Sequence, residues 1–265
     1  MPLAEARVPV TDRGFLWGDH VFEIIRAQGD TLCDGAAHLA RLVASAALVR
    51  LPAPDPAFVE RVARETLTAA GLAAASIRVM WTRGDARGLA PSAAGAPRLV
   101  ILVEPLAPAP HGVRLAVVRG SRDGLVPAAA KTGNYLGSVL ALALAENAGA
   151  DDALLVDGDE CALETATASL FVVEPGKVLM PAGANLPGVT AARVAALLVG
   201  AGHAVISERL PLARVVAADE LFVTSARRGL VPVVALDGAP RLPGPVTATA
   251  SAAHAAWVRA CTISG

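Results

Sequence analysis

The sequence predicts a two-domain protein of mixed α+β and α/β structure, with a small α+β domain over residues 1–106 and a larger C-terminal domain over residues 107–265. Segments with apolar residues at helical spacing alternate with short β-branched runs, as they do where helices pack on sheets. Pro105, Pro108 and Pro110 punctuate residues 104–112 in the manner of a linker, and the element pattern changes beyond it. A chain of 265 residues, 54% of them hydrophobic, is long enough to bury a substantial core.

In the first half, the Gly- and Asp-punctuated stretch Asp12 to Asp19 predicts a turn leading into a strand over Val21 to Gln28. Gly29-Asp30 then turns the chain toward a second short strand. Asp34 is placed to cap a helix whose apolar positions Leu39, Leu42, Val43, Ala46 and Leu48 recur at helical spacing, with Arg41 on it. A second helix is expected from about Pro56 to Ala70, with Asp55 as N-cap, Pro56 in the first turn, and Phe58, Val62 and Leu67 as apolar positions. Ser76 to Thr82 reads as a strand, Arg83 to Gly88 as a flexible basic loop, and Arg98 to Val103 as a returning strand.

In the second half, Val113 to Val118 predicts a strand and Leu136 to Asn147 an Ala/Leu-rich helix. Short strands are expected at Ala153–Val156, Cys161–Glu164 and Ser169–Val173, with Asp157-Gly158-Asp159 as a hairpin turn. Asn185 to Thr190 leads into a helix ending near Gly200. Ala204 to Glu208 reads as a strand and Pro211 to Ala217 as a short helix. Strands follow at Glu220–Thr224 and Leu230–Ala235, and an Ala-rich helix is expected after Pro245.

Composition narrows the function. Aromatics are only 3% and alanine supplies much of the apolar content, a globular rather than a disordered profile. Mean hydropathy is +0.52, but the most apolar long window, Val189 to Ile206, carries Arg193 and His203, and no uncharged apolar run reaches about 18 residues. That excludes a transmembrane helix. Met1 to Arg7 lacks an apolar signal core, so a cytoplasmic protein is expected. The net charge of −1, from 23 basic and 24 acidic residues without a basic block, argues against nucleic acid as a partner. Cys33, Cys161 and Cys261, odd in number and far apart, fit neither a disulfide framework nor a zinc site, and no metal is expected.

The chemistry starts at Lys131. Among 23 basic residues only Lys131 and Lys177 are lysines. Arginine stays protonated near neutrality, whereas lysine deprotonates and alone condenses with a carbonyl cofactor. Gly188-Val189-Thr190 opens a helix, where N–H groups and a hydroxyl suit a phosphate; the same pattern also serves ordinary capping. Thr224-Ser225-Ala226 at a strand end offers a second set of N–H donors. Glu164 ends a strand in an otherwise uncharged run, and a carboxylate there needs a partner if buried. A lysine, an isolated acid, a phosphate-type helix start, strand-end Ser/Thr and an upstream arginine together match what pyridoxal phosphate requires of a protein.

On these residues the chain resembles the fold-type IV pyridoxal-phosphate enzymes, the class-IV aminotransferase family that also contains aminodeoxychorismate lyase. The similarity runs from about residue 8 to 238. It is carried by Asp12-Arg13-Gly14-Phe15, Gly18-Asp19 with Val21-Phe22-Glu23, His38-Leu39-Ala40-Arg41-Leu42, Lys131-Thr132-Gly133-Asn134, and Glu164 with Leu170-Phe171-Val172-Val173. Leu186-Pro187-Gly188-Val189-Thr190, Ala218-Asp219-Glu220-Leu221-Phe222 and Thr224-Ser225 leading to Pro232-Val233 complete it. The resemblance implies a homodimer binding pyridoxal 5'-phosphate. It makes Lys131 the Schiff-base lysine and proton shuttle and pairs Glu164 with the pyridine nitrogen. It assigns the phosphate to Arg41, to Gly188, Val189 and Thr190, and to the Ser225–Ala226 turn. The chain departs from the family pattern at His20, where glycine is usual, at Ala168-Ser169 in place of Ser-Asn, and at Ala226, where a hydroxyl is common.

Two activities fit the motifs. The favoured one is aminodeoxychorismate lyase, releasing pyruvate and 4-aminobenzoate for folate biosynthesis. The alternative is a class-IV aminotransferase acting on D- or branched-chain amino acids or amines. The short chain, the loop Arg83-Gly84 with Arg87-Gly88, and the run from Thr224 through Arg227 to Val233 resemble the lyase branch. Guanidinium groups there suit a substrate with two carboxylates, although solvated loop charges fit as well. Thr82-Arg83-Gly84 and Tyr135 after Asn134 resemble aminotransferases. His20 faces the cofactor or the dimer interface on the same resemblance.

Overall fold

The computed structural model describes residues 2–121 and 124–261. They form two compact units. One takes the described residues of Met1–Leu106, Ala130–Tyr135 and Cys261–Gly265; the other is made of Ala107–Ala129 and Leu136–Ala260.

The first unit begins with α1 (Arg13–Trp17), where the sequence predicts a turn. The helix forms because Asp12 Oδ1 accepts from Gly14 N at 2.7 Å and Gly18, at φ 68°, ends it in the left-handed region that glycine tolerates. Next come β1 (His20–Gln28), β2 (Thr31–Leu32), α2 (Gly35–Leu48), α3 (Pro56–Ala70), β3 (Ala74–Thr82) and β4 (Arg98–Pro105). The strands make an antiparallel sheet in the order β2-β1-β3-β4, with β1 and β3 paired from His20↔Thr82 to Gln28↔Ala74. Alternate residues of β1 (Val21, Ile25, Ala27) and β3 (Ala75, Ile77, Val79) share a core with Leu39, Leu42 and Ala46 of α2 and Val59, Ala63 and Leu67 of α3. The expected core positions Leu48 and Phe58 are exposed. Asp34 holds the N-cap position of α2 but makes no side-chain cap bond, whereas Asp55 caps α3 through Ala57 N at 3.0 Å.

The loop after β3 is not the flexible solvated segment its composition suggests. Arg83 is only 7% exposed. Its Nε donates to Asp19 Oδ2 at 2.8 Å, Nη1 to the Arg50 carbonyl and Nη2 to the Val49 carbonyl. Asp19 Oδ2 also accepts from Arg13 Nε at 2.7 Å, and Asp12, fully buried, binds Thr82 Oγ1 and Arg98. Buried charges persist only when paired in this way.

Ala130–Tyr135 belongs to the first unit because it extends the sheet beside β1. Thr132 bridges Val21, Phe22 N donates to the Lys131 carbonyl at 2.9 Å, and Gly133 N donates to the His20 carbonyl at 2.9 Å.

The second unit contains β5 (Val113–Arg119), α4 (Leu136–Asn147), β6 (Asp152–Val156), β7 (Cys161–Thr165), β8 (Ser169–Glu174), β9 (Lys177–Pro181), α5 (Val189–Gly200), β10 (Ala204–Glu208), β11 (Leu210–Pro211), α6 (Leu212–Ala217), β12 (Glu220–Ser225), β13 (Gly229–Leu236), β14 (Ala239–Pro240) and α7 (Pro245–Ala260). Its sheet runs β10-β9-β8-β12-β13-β5-β6-β7-β11, with β14 beside β13. The β13–β5, β5–β6 and β10–β9 pairs are parallel. β8 shows why its sequence is uninterruptedly apolar. Leu170 and Val172 enter one core with Leu154, Leu221 and Val223, while Phe171 and Val173 enter another with Val194 and Leu198 of α5 and Ala250 of α7. Phe171 stacks on Phe222 at 4.7 Å between ring centroids. The sequence reading passed over β9, which closes a hairpin with β8 through the Pro175-Gly176 turn (Glu174↔Lys177).

Candidate functional site

The side chain of Lys131 lies where its own segment meets β1 and α2. Its backbone N donates to Ser45 Oγ of α2 at 3.0 Å and its carbonyl is held by Phe22 N of β1. The amine donates to Tyr135 Oη at 2.8 Å and stands 4.4 Å from the Phe22 ring centroid. Tyr135 meets that ring edge-on at 5.1 Å, and the Arg78 guanidinium is 5.0 Å from its centroid. Burial holds the amine below the ordinary lysine range, against the opposing pull of the Tyr135 hydroxyl. A lysine so placed supplies a neutral nitrogen nearer to neutral pH than a solvated one.

Arg41 sits one helical turn before Ser45 and is engaged with a carboxylate that the sequence reading gave no role. Its Nε and Nη2 form a bidentate pair with Glu23 of β1, each at 2.7 Å, and His38 Nδ1 lies 2.8 Å from Glu23 Oε2. Glu23 is fully buried. Burial drives its acidity down, but the hydrogen bonds from Arg41 and then His38 outweigh that and keep its carboxyl below the ordinary glutamate range. Asp19 behaves alike, with Arg83 and Arg13 outweighing burial. In both, the folded-state value lies below the unfolded one. The stability they contribute is therefore complete above about pH 4.5 and lost as pH falls through the folded values. The urea midpoint is expected to decline from about pH 5 toward about pH 3, and Glu23→Gln should flatten part of that decline.

His20 packs its ring on Gly133, two residues past Lys131. A Cβ on Gly133 would overlap that ring, and His20 Nδ1 is buried without a hydrogen-bond partner. Burial holds the imidazole below its ordinary range. Gly133→Ala is expected to cost about 2 kcal/mol in urea unfolding, and His20→Gly in the same chain should recover most of it.

Of the proposed substrate arginines, Arg83 is tied to Asp19 and two carbonyls as described, and Arg87 is exposed. Among the described residues, neither makes a hydrogen bond or ring contact with Lys131.

In the second unit, Glu164 at the end of β7 is 5% exposed and its Oε1 accepts from Leu186 N at 2.8 Å. Gly188 is the N-cap of α5, which places Val189 and Thr190 in its first turn, and a Cβ on Gly188 would stand 2.5 Å from Ser169 Oγ. Ser169 lies directly opposite Thr224 in the β8–β12 register, so their side chains share one face. Thr224 is 2% exposed and its Oγ1 has no hydrogen-bond partner. Ser225 Oγ accepts from Arg228 N at 3.4 Å, and Ala226 follows in the turn. Arg228 joins this strand end, with Nη2 on Thr167 Oγ1 at 2.6 Å and on the buried Asp152 at 3.2 Å, and Arg227 is exposed.

An orphaned buried hydroxyl, a serine beside a glycine that must lack a side chain, and the first turn of a twelve-residue helix form a donor set suited to an anion. The buried Glu164 carboxylate is suited to a protonated ring nitrogen. These residues fit pyridoxal phosphate. Sequence reading used the backbone of Thr224 but not its hydroxyl, and it missed Glu23, His38, Ser45 and Arg78. Among the described residues, no cluster of His, Cys, Asp or Glu could hold a metal ion and no helix is long and apolar enough to cross a membrane.

Comparison with known proteins agrees with this chemistry. Residues 20–236 match the family described as amino-transferase class IV. A Methanocaldococcus jannaschii protein provisionally named a branched-chain-amino-acid aminotransferase is 36% identical over 244 residues, 88% of this chain and 84% of its own. The aminodeoxychorismate lyase of Vibrio harveyi is 29% identical, over 87% of this chain and 88% of its own. The crystal structure of the Escherichia coli branched-chain amino acid aminotransferase superposes with a TM-score of 0.87 at 27% identity, covering 95% of this chain and 89% of that one.

Proposed function

The chain belongs to the class-IV aminotransferase family of pyridoxal-phosphate-dependent enzymes, and from that premise we propose that it is an aminotransferase for amino acids with apolar, branched-chain-type side chains. The observation that carries this reading over the lyase is the state of Arg83. The lyase reading drew on Arg83 among the loop arginines for a substrate with two carboxylates, and the D-amino-acid alternative drew on it for a carboxylate. Its Nε, Nη1 and Nη2 instead serve Asp19 and the carbonyls of Arg50 and Val49, which weakens both against a branched-chain-type substrate. The amine of Lys131 is bordered by the Phe22 ring and by Tyr135, surroundings that favour an apolar side chain. The names of the aminotransferase relatives support the same substrate class.

Pyridoxal phosphate, when bound, supplies a ring that withdraws the electron pair left on the substrate carbon after its proton is gone. The chain does the rest. Lys131 Nζ takes the proton from the substrate carbon and returns it, and the Tyr135 hydroxyl, accepting from that nitrogen, fixes where it points. Glu164, held by Leu186 N, would pair with the ring nitrogen and keep the ring an effective electron sink. Val189, Thr190, Ser225, Ala226 and Thr224 would hold the phosphate, with Gly188 keeping the approach open. The homodimer is part of the proposal. Leu136, Val139, Leu140 and Leu144 form an exposed apolar stripe on α4, which a second subunit would cover.

The test is product analysis with purified protein and added cofactor. Transfer of the amino group from leucine, isoleucine or valine to a 2-oxo acid supports the reading. Release of 4-aminobenzoate from aminodeoxychorismate, without transfer from any amino acid, restores the lyase.

A further inference from the structure

We propose that Glu23 is a positioning residue for Lys131, fixing the Arg41 guanidinium and cancelling its charge in the surroundings of the lysine amine. The inference deepens the reading of Lys131 as the reacting amine and rests on it. The backbone of Lys131 is docked at two points, by Phe22 N of β1 and by Ser45 Oγ of α2. Glu23 is the residue after Phe22, and Arg41 is one helical turn before Ser45. The bidentate Glu23–Arg41 pair therefore ties β1 to α2 beside the two atoms that hold Lys131. His38, on the same face of α2, braces the second carboxylate oxygen at 2.8 Å and leaves Glu23 fully buried.

A carboxylate at a position that faces the core, between Val21 and Ile25, costs stability unless it has a task there. A buried hydrophobic pair would join the two elements equally well. What an ion pair adds is charge. Arg41 disfavours the protonated amine and Glu23 favours it, so with both present the two influences oppose each other. Among the described residues, the Tyr135 hydroxyl on its own segment and, around the Phe22 ring, Arg78 of β3 and the His20 imidazole also border the amine.

Glu23→Gln keeps the shape and one acceptor for Arg41 but removes the negative charge. The Lys131 amine should then titrate lower. The readout is competitive acylation of the cofactor-free protein across pH, followed by peptide mass spectrometry. Lys131 and Lys177 are the only lysines in the sequence, so Lys177 is an internal reference. A downward shift at Lys131 with none at Lys177 supports the proposal, and an unchanged or raised Lys131 midpoint in a folded Glu23→Gln protein overturns it. Should that variant fail to fold, Glu23→Gln with Arg41→Gln carries the test. An unchanged Lys131 midpoint supports cancellation, and a shifted one contradicts it. Labelling uses no cofactor and no substrate, so a negative result leaves the aminotransferase reading standing, and loss of that reading by product analysis leaves the titration interpretable.

Discussion

Lys131→Ala is expected to lower turnover by at least about 10⁴-fold, because in the proposed mechanism one nitrogen both carries the cofactor and moves the proton. The expected companion result is an intact fold. The Lys131 contacts that organise the unit are backbone ones, to Ser45 and Phe22, and alanine keeps them. What the variant loses is a hydrogen bond to Tyr135 and the contact with the Phe22 ring. Circular dichroism and the urea midpoint should therefore stay close to the parent, while bound cofactor exchanges freely on dialysis. Residual turnover above about 1% would contradict the assignment, since no second lysine shares the segment and Lys177 is paired with Glu174 at 3.3 Å.

Glu164→Gln separates chemistry from binding. The amide retains the size of the carboxylate and an acceptor for Leu186 N but cannot keep a ring nitrogen protonated. Turnover is expected to fall by about 10²- to 10³-fold, with cofactor affinity changing less than about tenfold because the proposed phosphate site lies elsewhere, at the start of α5 and the end of β12. Steady-state kinetics together with a cofactor titration read both quantities. Unchanged turnover would remove Glu164 from the proposed site.

Much of the secondary structure was legible because its signals are local. Asp55 before Pro56 fixed the start of α3, and the β-branched run Ala204–Glu208 fixed β10. The boundaries of α4 followed from an Ala/Leu run interrupted by only one glycine, Gly137 in its first turn. Lys131 stood out by residue type in a chain that otherwise prefers arginine. The first helix was hidden because five residues are too few for a periodicity and only the Asp12 bond reveals the cap. Arg83 was misread for a related reason. An arginine beside glycines looks solvated until the chain returns Asp19 and two carbonyls to it. His38 and Arg41 lie 15 and 18 residues from Glu23, across a strand and a helix, so no local pattern joins them. A signal did exist. Val21, Glu23, Ile25 and Ala27 alternate toward the core, and a charge in that series requires buried partners. Thr224 and Ser169 came together only through strand register.

The most direct test of the central claim is to reduce the cofactor-loaded protein with borohydride, digest it and map the added mass. The account predicts one phosphopyridoxyl group per chain, located on Lys131. The group on Lys177, or no covalent adduct in protein that is folded and saturated with cofactor, would contradict it.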